Sequence, residues 1–354
     1  MPNRFAQFFY NQFKKNEAKI HELTYLFWEC TQRCNLQCRH CGSDCTSHSK
    51  VQDMPFDDFL KAILPLKNVY NPDSITIAIT GGEPLLHRDL FRGGKILREH
   101  GFHWGIVSNG YMYTPDVHDE LLAAGMESLT ISLDGFEDTH NWLRANDKSF
   151  KNAVKALSLI TSTKGLTYDV VTCVNHKNIR ELSDLKEFLL SKNVKAWRLF
   201  TIAPIGRAAN NSDMLLSGEE LTYLMDFIAL SRTDPRINVQ FSCEAYTGKY
   251  EGKVRDSGFF CRAGINIASI LIDGSISACP NINRHFVQGN IYQDDFLEVW
   301  NSRFDVMRNR KWTKTGICSH CKDYKNCSGG AMHLWDEKKD SPLVCVQHEM
   351  RMAQ

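Results

Sequence analysis

Six times between residues 24 and 240, a short β-rich run is followed by a segment with helical spacing. The runs fall at 23–29, 74–80, 103–108, 128–132, 168–174 and 196–201, and the helical segments near 56–67, 87–100, 115–125, 148–163, 178–192 and 217–231. Ser217 with Glu219 and Glu220 gives the last of these a capping signal. Parallel strands need crossover connections, and a helix after each strand supplies them. Six units fall short of a closed eight-unit barrel. The expected fold is therefore α/β, a partial (β/α)6 open barrel over 24–240.

The pattern changes after 240. Residues 269–279 read as two alternating runs joined by Asp273-Gly274, a β-hairpin signal. A helix is expected over 295–307, followed by a Cys-rich tail. Residues 241–354 thus form a second, Cys-rich domain that packs on the first. Residues 1–23 form a helical extension, with Phe5, Phe8, Phe9 and Phe13 at helical spacing to cover the edge of the core.

Thirteen cysteines in 354 residues need a purpose. The fraction is too small for a disulfide scaffold, and an odd number cannot pair fully within one chain. The start of the chain lacks the apolar core of a signal peptide. No run reaches the roughly 18 apolar residues of a membrane span. A cytoplasmic location follows as the expectation, and there thiols stay reduced, so metal ligation or catalysis outranks disulfides. The formal charge of +1 gives no broad field for nucleic acid.

After the first strand, Cys34-x3-Cys38-x2-Cys41 places three thiols in one loop. Thiolates suit iron–sulfur clusters or zinc. A four-iron cubane held by three cysteines keeps one iron open, whereas structural zinc wants four ligands, which Cys30, Cys45, His40 or Asp44 would complete. Further motifs stand at later strand ends: Thr80-Gly81-Gly82-Glu83-Pro84, then Ser108-Asn109-Gly110, then Ser132-Leu133-Asp134-Gly135 with His140 and Arg144.

Taken together, CNLQCRHC and these motifs resemble the radical S-adenosylmethionine (SAM) enzymes over about 24–240, with His40 at the family's usual aromatic position. The resemblance implies that Cys34, Cys38 and Cys41 hold a 4Fe–4S cluster whose open iron takes SAM's amino and carboxylate groups. It implies that Gly81, Gly82, Glu83 and Pro84 meet the methionine part, with Glu83 near the amino group. Ser108, Asn109, Ser132, Asp134 and Asn175 then lie around the rest of SAM, and Arg144 offers a fork to its carboxylate. The implied reaction is oxygen-sensitive: one-electron reduction splits SAM to a 5′-deoxyadenosyl radical, which abstracts a substrate hydrogen. A flavodoxin- or ferredoxin-type donor is the implied electron source.

The tail resembles a SPASM domain, an extension that carries auxiliary clusters. Cys261, Gly274 and Cys279, then Cys318-x2-Cys321-x5-Cys327, then Cys345 follow that pattern, but the family's Cys at an x3 spacing after Cys327 is replaced by Ala331. The resemblance implies a complete 4Fe–4S site at Cys318, Cys321, Cys327 and Cys345, with zinc as the alternative. Cys243, Cys261 and Cys279 make a second site, one ligand short, for which His333 is a candidate. Cys30, Cys45 and Cys173 remain as plain thiols. Such enzymes modify peptides or proteins, and relatives act on tetrapyrroles or small cofactor precursors. Asn281 stands where sulfatase-maturating relatives carry an Asp, and an amide cannot serve as a base. The 23 residues before the barrel leave no room for a peptide-recognition domain. The leading expectation is an enzyme that modifies a peptide or protein. A tetrapyrrole or cofactor precursor is the second, and a zinc- or cluster-binding scaffold without turnover is the third, disfavoured by the intact SAM motifs.

Overall fold

A computed structural model describes residues 4–242 and 244–353. The expected strands form within two residues of the sequence limits: β1 (Tyr25–Thr31), β2 (Thr76–Gly81), β3 (His103–Ser108), β4 (Ser128–Ser132), β5 (Thr167–Val174) and β6 (Ala196–Thr201). A further strand, β7 (Asn238–Phe241), follows the helix Gly218–Ser231. β1 to β7 pair in parallel and in sequence order.

Period two sorts each strand's residues. Leu26, Trp28 and Cys30 join Ile77, Ile79, Trp104, Ile106, Leu129 and Ile131 in the core beneath the crossover helices. The alternate positions Tyr25, Glu29, Thr130, Asp169 and Arg198 lie on the opposite face. There Thr130 donates to Asp169 at 2.7 Å, and Arg198 pairs with the same carboxylate. Burial raises the Tyr25 hydroxyl pKa while the Arg198 guanidinium lowers it, although β1 and β6 are five strands apart. The sheet is therefore curled, with those two strands facing one another across a lumen.

The hairpin forms where the sequence places it. β8 (Ile267–Ile270) and β9 (Ser275–Ser277) are antiparallel, joined through Gly274 at φ +82°. Its position is the new information. β8 lies parallel to β1, pairing Tyr25 with Ile267 and Trp28 with Ile270, and β10 (Gly289–Asn290) adds to β9. Among the described residues the sheet has ten strands and is open, with β10 and β7 at its edges. The Cys-rich part is built onto the first strand of the barrel rather than merely packed beside it.

Three helical segments differ from the periodicity. The helix Phe56–Ile63 gives way at Leu64–Asn68 to a 3-10 turn whose second residue is Pro65, and the missing N–H of Pro65 ends the α-helical ladder. The stretch 295–307 divides into Phe296–Ser302 and Asp305–Arg308. A short helix not anticipated from periodicity, Glu137–Arg144, carries His140 and Arg144. The N-terminal helix Arg4–Ile20 lies on the Cys-rich part: Tyr10 donates to the Gly258 carbonyl, Lys14 to Asn326 O at 2.7 Å, and Arg262 pairs with Glu17 at 3.1 Å. Among the described residues no helix is long and apolar enough to cross a membrane.

Candidate functional site

The loop after β1 is fixed from four sides. Cys34 N donates to Thr46 O at 3.1 Å, Gly82 N to Thr31 O at 2.7 Å and Glu83 N to Arg33 O at 2.9 Å. Arg39 N donates to Leu143 O at 2.8 Å, which ties the loop to the helix Glu137–Arg144. From beyond β6, Arg207 donates through its backbone N to Cys41 O at 3.0 Å, through Nε to Cys38 O at 2.7 Å and through Nη1 to Cys45 O and Asp44 at 2.9 Å. Arg207 escaped the sequence analysis, since nothing local marks a residue 166 positions beyond Cys41 as its clasp. Sites at the C-terminal ends of parallel strands are assembled from several loops in this way.

The glycines of the β2 loop serve this clasp. A Cβ at Gly81, which sits at φ +142°, would lie 2.2 Å from Thr31 O, and one at Gly82 would lie 2.1 Å from Arg33 O. The N–H groups of Gly82 and Glu83 therefore face the cysteine loop, and only the carbonyls of that segment are left for a ligand. Gly82→Ala is expected to push the two loops apart at a cost of about 1–3 kcal/mol. Iron bound per chain after reconstitution should fall. Unchanged iron content and melting temperature would contradict this reading.

Cys34 and Cys38 are buried and Cys41 is half-buried. Burial, with Glu83, Cys38 and Cys41 nearby, pushes the Cys34 thiol up to about 12. Cys45 donates to the Cys41 sulfur, which holds the Cys41 thiol low and the Cys45 thiol high. Cys30 lies in the helix-side core of β1, on the far face from the loop.

Glu83 is buried and accepts from Ser108 Oγ and Asn109 N, both at 2.9 Å; burial raises its carboxyl to about 7. The Asn109 amide reaches Cys34 Sγ at 3.8 Å. Ser132 closes β4, and two residues on, Asp134 accepts from Arg144 Nε at 2.6 Å and from Cys173 N at 2.9 Å. Burial pushes the Asp134 carboxyl up, but Arg144 and His140 outweigh it and hold it down at about 2. Arg144 Nη1 lies 3.8 Å from Cys38 Sγ. His140 accepts from Asp134 N on Nδ1 and faces Ser149 with Nε2 at 3.0 Å, a neutral imidazole that burial lowers to about 4. The structure thus joins Cys34, Glu83, Ser108 and Asn109 in one network, and Cys38, Asp134 and Arg144 in another. Asn175 stands apart: its Oδ1 accepts from Lys177 N and its Nδ2 donates to Cys173 O, both within its own turn.

In the Cys-rich part, Cys318, Cys321, Cys327 and Cys345 line one cavity of about 200 Å³. Thiolates bound to one tetrahedral zinc at about 2.3 Å would lie about 3.8 Å apart. Among the described residues the only three ligand-type groups within 4.8 Å of one another are those of His40, Asp134 and Cys173. In that trio Asp134 is already paired with Arg144, whose guanidinium repels a cation. Neither cysteine set therefore gathers three ligand atoms within 4.8 Å, as a single zinc ion would require of it.

The second auxiliary set is described at Cys261 and Cys279. Cys243 lies outside the described residues. Burial raises the Cys261 thiol, but Arg310 and the N–H groups of Met332 and Ala263 outweigh it and lower its pKa. Cys279 packs at the edge of the main core, and Ala331 is buried. Cys261 lines the cavity against the N-terminal helix, and the N–H of Met332, next to His333 in the chain, bonds its sulfur.

His333 lines a cavity of about 320 Å³ between the cysteine loop and the Cys-rich part, lined also by Glu29, Gly42, Ser43, Asn281 and Arg284. Burial raises the Glu29 carboxyl; Ile272 N donates to it at 3.2 Å and Arg284 lies 4.0 Å away. Glu29 was also missed, although a charge at the end of the β1 run Leu26-Phe27-Trp28-Glu29 was a signal for it.

Residues 28–189 match the Radical SAM superfamily, and residues 261–322 match SPASM, an iron-sulfur cluster-binding domain; Cys327 and Cys345 lie beyond that match. The AdoMet-dependent heme synthase of Nitratidesulfovibrio vulgaris is 24% identical over 92% of this chain and 93% of its own length. The mycofactocin maturase MftC of Mycobacterium tuberculosis is 26% identical over 87% of this chain and 78% of its own. Streptococcus suis SuiB bound to S-adenosylmethionine shares the fold at TM-score 0.71 with 16% identity, over 94% of this chain and 79% of SuiB. The enzyme anSMEcpe with bound AdoMet does so at 0.72 with 19% identity, over 94% and 91% of the two chains. SAM, a 4Fe–4S cluster and at least one auxiliary iron–sulfur cluster are the cofactors of such a chain, and its Cys-rich part lines one cavity with four thiols. The chain belongs to the radical SAM superfamily and is an enzyme of its SPASM branch.

Proposed function

We propose that this enzyme removes a hydrogen atom from a peptide or protein and so modifies it after translation. The observation that carries the reading is the 320 Å³ cavity beside Cys41. That volume is at the bottom of the range for pockets that bury small ligands. It admits one or two amino-acid side chains but is small for a tetrapyrrole macrocycle.

In this reading Cys34, Cys38 and Cys41 hold the SAM-binding cluster, and Cys318, Cys321, Cys327 and Cys345 hold an auxiliary one. When bound, the cluster and SAM supply the one-electron cleavage chemistry that takes hydrogen from the substrate. The chain's own groups bind and orient. Glu83, with the carbonyls of Gly81 and Gly82, faces SAM's ammonium, while Pro84 starts the turn that sets them. Arg144, anchored through Nε on Asp134, keeps Nη2 for the SAM carboxylate. Ser108, Asn109 and Ser132 edge the pocket, and Asn175 shapes its rim. Glu29 is the one carboxylate on the substrate cavity, and burial raises its pKa, which makes it the stronger proton acceptor.

A second reading, a tetrapyrrole substrate, is favoured by the near full-length likeness to the heme synthase. Both are tested by incubating reduced, reconstituted enzyme and SAM with a peptide encoded beside its gene or with an iron tetrapyrrole. Mass spectrometry should find a modified peptide and 5′-deoxyadenosine in proportion. Turnover of the tetrapyrrole alone would reject the peptide reading. In Glu29→Gln, SAM cleavage should persist while modified peptide falls about a hundredfold. Equal losses of both would remove Glu29 from the substrate step.

A further inference from the structure

The chain's net charge of +1 conceals a strong asymmetry. Residues 303–327 carry seven Lys or Arg and two Asp. Where this segment meets the N-terminal helix, a cavity of about 220 Å³ opens, lined by Lys14, Lys15, Arg308, Arg310 and Lys325 and by no Asp or Glu. Three of these cations are held on carbonyl oxygens, which carry no opposing charge: Arg310 on Cys261 and Gly330, Arg308 on Gly264 and Trp300, and Lys14 on Asn326. Lys15 and Lys325 are exposed. Phe8, on the cavity wall, and Phe9 beside it are 55% and 67% exposed. The same cavity is walled by Cys261 and Cys327. It is thus a positive, partly apolar surface with two cluster-type thiols directly behind it.

We propose that this surface is the docking site of an acidic one-electron carrier protein of the flavodoxin class. The assignment rests on the reading that Cys318, Cys321, Cys327 and Cys345 hold an iron–sulfur cluster. Carboxylates on the partner supply the charge that the cavity lacks, and the exposed rings supply a small apolar contact. A modest, charge-steered interface of this kind suits transient electron transfer. The step balances simply: the flavin hydroquinone gives up one electron and becomes a semiquinone, the cluster behind Cys327 gains that electron, and no proton crosses.

The test uses the reconstituted full chain and an acidic bacterial flavodoxin as probe. Binding of oxidised flavodoxin should weaken at least about tenfold between 50 and 300 mM salt. Lys15→Glu/Lys325→Glu should weaken it about as much at 50 mM, with Lys15→Gln/Lys325→Gln intermediate. SAM cleavage driven by flavodoxin hydroquinone should fall in the same order, while cleavage driven by dithionite stays at the wild-type rate in every variant. Flavodoxin binding and reduction that ignore both salt and charge reversal would overturn the proposal. So would vesicles of anionic phospholipid that bind the chain more tightly than flavodoxin and lose it with the same substitutions. Failure of dithionite itself to reduce wild-type protein would instead reject the cluster reading beneath it.

Discussion

Cys34→Ala should abolish 5′-deoxyadenosine formation while leaving the Cys-rich part loaded. Replacing a hydrogen-bond partner of a metal ligand typically costs 10–100-fold, and loss of the ligand itself should exceed about a hundredfold. Nothing nearby replaces the thiol. Cys30 lies in the helix-side core, and Cys45 reaches toward Cys41 rather than Cys34. The amide of Asn109 touches the Cys34 sulfur at 3.8 Å and also bonds Asn35 at 2.9 Å, so Asn109→Ala should fall within the weaker range. With two four-iron clusters, wild-type protein should bind about eight irons and Cys34→Ala about four. Retained SAM cleavage in Cys34→Ala, or loss of all iron, would contradict the division of cysteines between two independent sites.

The parts of this arrangement that follow from local sequence are those with local causes. A strand followed by a helix dictates a parallel order. Asp273-Gly274 makes a turn through the positive φ of Gly274, and three cysteines within eight residues must share a loop. Contacts between distant segments carry no such mark. The pairing of β8 with β1 joins residues about 240 apart, and Arg207 reaches the cysteine loop from beyond β6. The glycines illustrate the limit well. The resemblance implied that Gly81 and Gly82 meet a ligand, and the structure adds that both are needed so that two protein loops can touch. Glu29 was visible as a charge in an apolar strand, yet only the curl of the sheet turns it into a cavity wall.

The Asp134–Arg144 pair should give the largest change in stability. Both side chains are buried, at 0% and 9% exposure, with 2.6 Å between Arg144 Nε and Asp134 Oδ2. Removing one member of such a pair costs about 3–5 kcal/mol, because the other charge stays buried alone. Arg144→Met should therefore lower the urea midpoint of the iron-free chain markedly, and Asp134→Asn/Arg144→Met should regain much of the loss. The pH dependence supplies a sign that general damage would not mimic. In the wild-type chain the Asp134 carboxyl sits at about 2, below its ordinary 3.8. Its stabilisation, about 2 kcal/mol, is thus full above pH 4 and disappears as pH falls toward 2. In Arg144→Met, burial acts without its counter-charge, and the folded carboxyl moves above its unfolded value. The variant then has its best stability at low pH and loses it as pH rises through the new folded value. The difference between the two chains should widen from pH 4 to pH 7, and a gap that stays constant, or a variant within about 0.5 kcal/mol of wild type, would show that Asp134 is not held by Arg144.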